Sequence, residues 1–147
     1  MSIAASFARF VTAVLFLIGF ASFVTTAHAA DKTSKSSVVI QISENNPASW
    51  NLALNNAKNI QQDLGKENTN IEIVAYGPGI NMLKFDSEVA PRLKEASANG
   101  VALLACGNTM KNQKLTEKDL EGDVKVVKAG VIEIISKQRE GWAYIKP

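Results

Sequence analysis

The chain of 147 residues carries 16 Lys+Arg against 14 Asp+Glu, a formal charge of +2, with one histidine and one cysteine. A balance so close to neutral, with no Lys/Arg-rich block, leaves no electrostatic footprint for nucleic acid. One cysteine cannot form a disulfide framework within the chain, and one cysteine with one histidine cannot supply a zinc site.

The N-terminal segment reads as an export signal. Arg9 is the only charge before the uncharged run 10–24, and Thr25-Thr26-Ala27-His28-Ala29-Ala30 then offers an A-x-A cleavage pattern ending at Ala29. That run is short of the ~20 apolar residues of a spanning helix, so a cleaved signal peptide over 1–29 is expected rather than an anchor. No cysteine lies near the cleavage point, which argues against a lipoprotein, and the solitary Arg9 favours a Sec-type over a twin-arginine signal. The expected location is the periplasm, with no membrane segment after cleavage. Cleavage would remove the only histidine, His28, and leave about 118 residues with a charge of +1 and Cys106 as the one cysteine, within the size of one domain. A Ser-His-Asp or Cys-His pair is then impossible, and neither a metal nor another cofactor is expected.

Residues 30–37 are polar and aperiodic and read as a disordered leader, with the domain following over 38–147. A β-branched run at 38–42 predicts a buried parallel strand, and Asn46 or Ser49 is placed to cap the next helix. In that helix Trp50, Leu54, Ala57, Ile60 and Leu64 recur at three- and four-residue steps, and Gly65 stops it. A second strand is expected over 71–76, ending in the turn Gly77-Pro78-Gly79, and a second helix over 87–98 with Val89, Leu93 and Ala96 inward. The most apolar run, 101–106, predicts a third and central strand, with a helix or helical turn from 108 to about 114. Thr116 and Asp119 are possible caps of a short turn before a fourth strand at 124–127. A fourth helix over 129–139, with Val131, Ile134, Ile135 and Gln138 inward, and a last strand at 142–145 complete the alternation. The fold class is therefore α/β: a single three-layer sandwich with a mainly parallel five-stranded sheet.

In such a sheet reactive groups gather at the carboxyl ends of strands, in the loops 43–47, 76–81 and 106–109. Cys106 ends a buried strand and precedes Gly107-Asn108-Thr109, the start of a helix whose N–H groups and dipole would favour a thiolate. Gly107 would let backbone or substrate approach the sulfur. The alternative is that Cys106 is a small apolar filler, and position alone leaves both open. The Gly77-Pro78-Gly79 loop lacks the further glycine of a dinucleotide motif, because position 82 is Met82, so a structural turn is expected. Glu117, Asp119, Glu121 and Asp123 alternate like calcium ligands but lack the EF-hand glycine and are interleaved with Lys118, so a solvated loop is expected. Trp50 and Trp142 are read as core or interface residues rather than stacking platforms.

Four blocks together resemble the DsrE-like family and its exported branch: Asn46-Pro47-Ala48-Ser49-Trp50-Asn51-Leu52-Ala53-Leu54-Asn55-Asn56-Ala57, Ala75-Tyr76-Gly77-Pro78-Gly79-Ile80, Ala105-Cys106-Gly107-Asn108-Thr109-Met110 and Gly141-Trp142-Ala143-Tyr144-Ile145-Lys146-Pro147. The resemblance spans 38–147 and implies a DsrE/DsrF-like sandwich assembled as a homo-oligomer. It further implies sulfur relay through a persulfide, with Cys106 at the position of the carrier cysteine and a sulfur donor or acceptor protein as partner. The cytoplasmic carriers follow that cysteine with small residues and a basic-glycine pair, whereas this chain continues Gly107-Asn108-Thr109-Met110-Lys111 and begins with an export signal.

Two readings follow. In the first, a periplasmic protein handles sulfur on Cys106, acting like a sulfurtransferase-type carrier, with Gly107, Asn108 and Thr109 stabilising the thiolate and Asn45, Tyr76, Gly77 and Gly79 shaping the entrance. In the second, a non-catalytic module binds a small ligand or assembles into oligomers, and Cys106 only packs.

Overall fold

The computed structural model describes residues 35–147; the predicted signal peptide over 1–29 and the leader residues up to 34 lie outside the described residues. Strand β1 (Ser36–Ile42) begins two residues before the expected 38, because Ser36 and Ser37 pair with Thr69 and Asn70 and so belong to the sheet rather than to a leader. Helix α1 (Pro47–Leu64) starts where the Asn46 side chain accepts the Ala48 N–H, with Pro47 in the first turn where no N–H is needed. It stops at Gly65, whose φ of 86° reverses the chain. Trp50, Ala53, Leu54 and Ala57 face the sheet, but Leu64, expected inward, is exposed at the last position of the helix.

After a 3-10 turn (Lys66–Asn68) comes β2 (Thr69–Ala75), and then a 3-10 helix (Gly77–Leu83) where only a turn was expected. Proline is tolerated at its start, and Ile80, Met82 and Leu83 turn fully into the core. Helix α2 (Ala90–Ala98) begins three residues later than the expected 87, because Pro91 belongs in a first turn. The remaining elements are β3 (Ala102–Cys106), α3 (Gly107–Gln113), a 3-10 turn (Glu117–Asp119), β4 (Lys125–Val127), α4 (Gly130–Arg139) and β5 (Ala143–Ile145). Thr116 and Asp119 form the capping box of the short turn, which gives Asp119 a structural task.

The five strands are ordered β4-β3-β2-β1-β5 and every ladder between them is parallel. The middle strand is therefore β2, and β3 lies one place toward the edge. From β1 to β4 the chain steps in one direction, so right-handed crossovers place α1, α2 and α3 on one face. The step from β4 back to β5 crosses the whole sheet in the other direction and places α4 alone on the opposite face. The packing follows this division. Ile40, Ile73 and Leu103 meet Trp50, Leu54, Leu93 and Met110 on the first face, whereas Val39, Val74 and Leu104 meet Ile134 on the second.

The inward face of α4 differs from the expected one. Gly130 and Ile134 are buried, while Val131, Ile135 and Gln138 are exposed. Lys137 lies on the inward side: its Nζ is 3.4 Å from Glu72 on β2 and 4.6 Å from the Trp142 ring, with Glu133 and Glu140 at 3.7 and 3.5 Å. Burial pushes the Glu72 carboxyl above its ordinary value of 4.5 despite Lys137, and its Oε2 has no hydrogen-bond partner. The native state thus binds this proton more tightly than the unfolded chain, and the Glu72 contribution to stability falls as pH rises through the window just above 4.5. Lys137→Ala, which strands the carboxylate, is expected to cost about 2 kcal/mol in urea unfolding at neutral pH. Glu72→Gln should cost less and remove that pH dependence.

Candidate functional site: a thiol between two helix N-termini

The topology opens one crevice. The connection after β3 leaves for the first face and the connection after β4 for the second, so the carboxyl ends of these neighbours diverge, as ligand-binding strand ends do in open α/β sheets. Cys106 is the last residue of β3, opposite Val127 in the register, and sits between the starts of α3 and α4. Its alternation with Leu104 points it toward the α4 face. The residue is 6% exposed and forms no disulfide.

Burial alone would push the Cys106 thiol up. Against it, hydrogen bonding by the Gly130 N–H, the Thr109 hydroxyl, the Thr109 N–H and the Asn108 N–H holds the thiol below its ordinary value of 9.0. The Thr109 hydroxyl is oriented for this, because its oxygen accepts the Gly77 N–H at 2.9 Å and leaves its proton to the sulfur. Gly77 is held in turn by Gln113, whose Nε2 donates to the Gly77 carbonyl at 3.2 Å. The chain from Gln113 through Gly77 to Thr109 therefore ties the end of β2 to the first turn of α3. Thr109→Val, which removes the proton donor and orphans the Gly77 N–H, is expected to slow Cys106 alkylation at neutral pH about threefold. Thr109→Ser should restore it.

Cys106, Gly107, Asn108, Thr109, Tyr76 and Gly77 are brought together. Gly107 makes room for the β4–α4 connection rather than for open space, since a Cβ there would stand 3.1 Å from the Val127 carbonyl oxygen. Asn108 presents its side chain to solvent, and its N–H also meets the Lys128 carbonyl at 3.3 Å. Tyr76 is half-buried against Val74 and Ile134. Two expected entrance residues lie elsewhere: Gly79 is buried against β1, and Asn45 accepts a hydrogen bond from Asn81 at 3.3 Å over a depression lined by Pro47, Trp50 and Lys84.

Sequence reasoning missed Gly130. A Cβ there would stand 3.3 Å from the Cys106 Cβ, 3.3 Å from the Tyr76 Cβ and 3.2 Å from Val74 Cγ1, so only glycine lets the start of α4 pack this closely on Cys106. The available signal was a glycine at the start of a helix after the strand bordering β3.

The arrangement defines a parallel α/β sandwich with a single thiol, held toward its anionic form, at the strand-end crevice. The sequence profile of the DsrE/DsrF-like family matches residues 36–147, and the chain belongs to that family. Among solved structures, a protein of unknown function from Methanobacterium thermoautotrophicum is 39% identical, with a TM-score of 0.73 over 77% of this chain and 100% of its own. A conserved protein of unknown function from Bacteroides thetaiotaomicron, 16% identical, shares the fold with a TM-score of 0.63 over 76% of this chain and 95% of its own. No curated protein matches.

Proposed function

We propose that this protein is a periplasmic sulfur carrier that holds sulfur as a persulfide on Cys106. The observation that carries the reading is the seating of Cys106 at the start of α3 with Gly130, the first residue of α4, against its Cβ, where the Gly130, Thr109 and Asn108 donors favour thiolate over thiol. Membership in the DsrE/DsrF-like family supports sulfur relay as the context, and the export signal read over 1–29 supports the location. The thiolate attacks the outer sulfur of a sulfane donor, the new S–S bond forms as the donor's S–S bond breaks, and the donor leaves with the electron pair. An acceptor thiolate then takes that sulfur and regenerates the Cys106 thiolate, so the cycle needs no oxidant or reductant. The exposed Val131 and Ile132 on the outer side of α4 support assembly with further copies of the chain.

The burial of Cys106 favours the competing reading, a non-catalytic module in which the thiol only packs. Alkylation separates the two. The carrier reading expects the rate of reaction with iodoacetamide to rise with a midpoint below 9.0, the ordinary thiol value. A thiol that reacts in the folded protein only as fast as global unfolding exposes it would reject the carrier.

A further inference from the structure

The three segments that meet at Cys106 carry only positive side chains, with Glu133 just beyond them on α4. Segments 76–82, 105–113 and 125–132 contain Lys111, Lys125 and Lys128 and no aspartate or glutamate, although acidic and basic residues number 14 and 16 in the whole chain. Lys111 lies one turn into α3. Lys125 is two residues before Val127, the register partner of Cys106, and Lys128 carries the carbonyl that meets the Asn108 N–H. All three are exposed, and among the described residues none pairs with a carboxylate. Neighbouring carboxylates are engaged: Glu44, after β1, pairs with Lys146 at 3.4 Å, and Glu133, in the first turn of α4, with Lys137 at 3.7 Å. The acidic run 117–123 precedes the amino end of β4 and is fastened to 83–85 by Glu121 N–H to Leu83 O and Phe85 N–H to Asp119 O.

Unpaired ammonium groups on the segments that surround Cys106 concentrate anions there, and the N-terminus of α4 acts with the same sign. The low exposure of Cys106 also selects for size, because a protein donor would have to drive its own sulfur between α3 and α4. On the carrier reading above, we propose that the donor to Cys106 is a small anionic sulfane-sulfur compound of the thiosulfate or polysulfide class. With thiosulfate, the Cys106 thiolate bonds to the sulfane sulfur, the bond to the sulfonate sulfur breaks, and sulfite departs with the electron pair. The persulfide anion remains on Cys106.

The test compares iodoacetate with iodoacetamide on the full chain, each rate normalised to a small free thiol. Cys106 is expected to favour the anionic reagent about threefold at low ionic strength, with the preference fading toward unity in high salt. Lys111→Gln, Lys125→Gln and Lys128→Gln should each reduce the preference, whereas Lys58→Gln, which breaks the Lys58–Glu95 pair joining α1 and α2, should not. A salt-insensitive ratio equal to that of the free thiol overturns the proposal, as does a Cys106 that reacts with neither reagent. Sulfur uptake from thiosulfate and from polysulfide is measured on the same protein. Preference without uptake rejects the carrier reading and the donor with it; uptake without preference rejects only the anionic selection. Uptake solely from a protein persulfide overturns the small donor.

Discussion

Gly130→Ala is expected to slow alkylation of Cys106 at neutral pH about tenfold, the effect of raising a thiol by about one pKa unit. The added methyl meets the Cβ atoms of Cys106 and Tyr76 and the Cγ1 of Val74 at 3.2–3.3 Å. Two of those neighbours are fixed to backbone and Val74 is fully buried, so α4 has to withdraw. The Gly130 N–H, the foremost of the donors that favour the thiolate, withdraws with it. Stability should fall by about 1 kcal/mol, well short of unfolding the domain. A folded variant with an unchanged rate would show that α4 does not tune the thiol.

Gly79→Ala is expected to destabilise the domain by about 3 kcal/mol, read as a lower urea midpoint. Here the obstacle is backbone: a Cβ would stand 2.5 Å from the Ile42 carbonyl oxygen and 2.7 Å from its carbon. Ile42 is held in place because it is paired with Ala75 of β2 and its side chain is buried in the core. Its carbonyl also accepts the Tyr76 N–H at 3.0 Å, so yielding there would displace Tyr76 and Gly77, and with Gly77 the amide that orients Thr109. Alkylation of Cys106 should therefore slow in the folded fraction as well. An unchanged midpoint would contradict this account of the Gly77–Leu83 helix.

The alternation of strands and helices was legible because each strand is a β-branched or apolar run and each boundary carries its own chemistry: Asn46 at the start of α1, Gly65 at its end, Thr116 and Asp119 around the short turn. Cys106 was legible as a strand-end thiol before a helix start. The face of α4 was not. Periodicity counts apolar side chains, and the side of α4 that meets the sheet presents a glycine, an isoleucine and a lysine, while Val131 and Ile132 face outward. Gly130 is inward for lack of a side chain and Lys137 because Glu72 stands on the sheet face that α4 covers, and neither cause leaves a hydrophobic mark. Gly79 and Asn45 were drawn to the entrance by sequence proximity to strand ends. In the fold Gly79 serves the approach of the 3-10 helix to β1, and Asn45 pairs with Asn81 beside a different depression.

The most direct test of the central claim is intact-protein mass spectrometry after incubation with thiosulfate or polysulfide, run without reductant beside a Cys106→Ser control. A gain of one sulfur atom in the parent protein, reversed by a thiol acceptor and absent from Cys106→Ser, is the predicted result. An unchanged mass, or the same gain in the serine variant, would contradict the assignment of Cys106 as the sulfur-bearing residue.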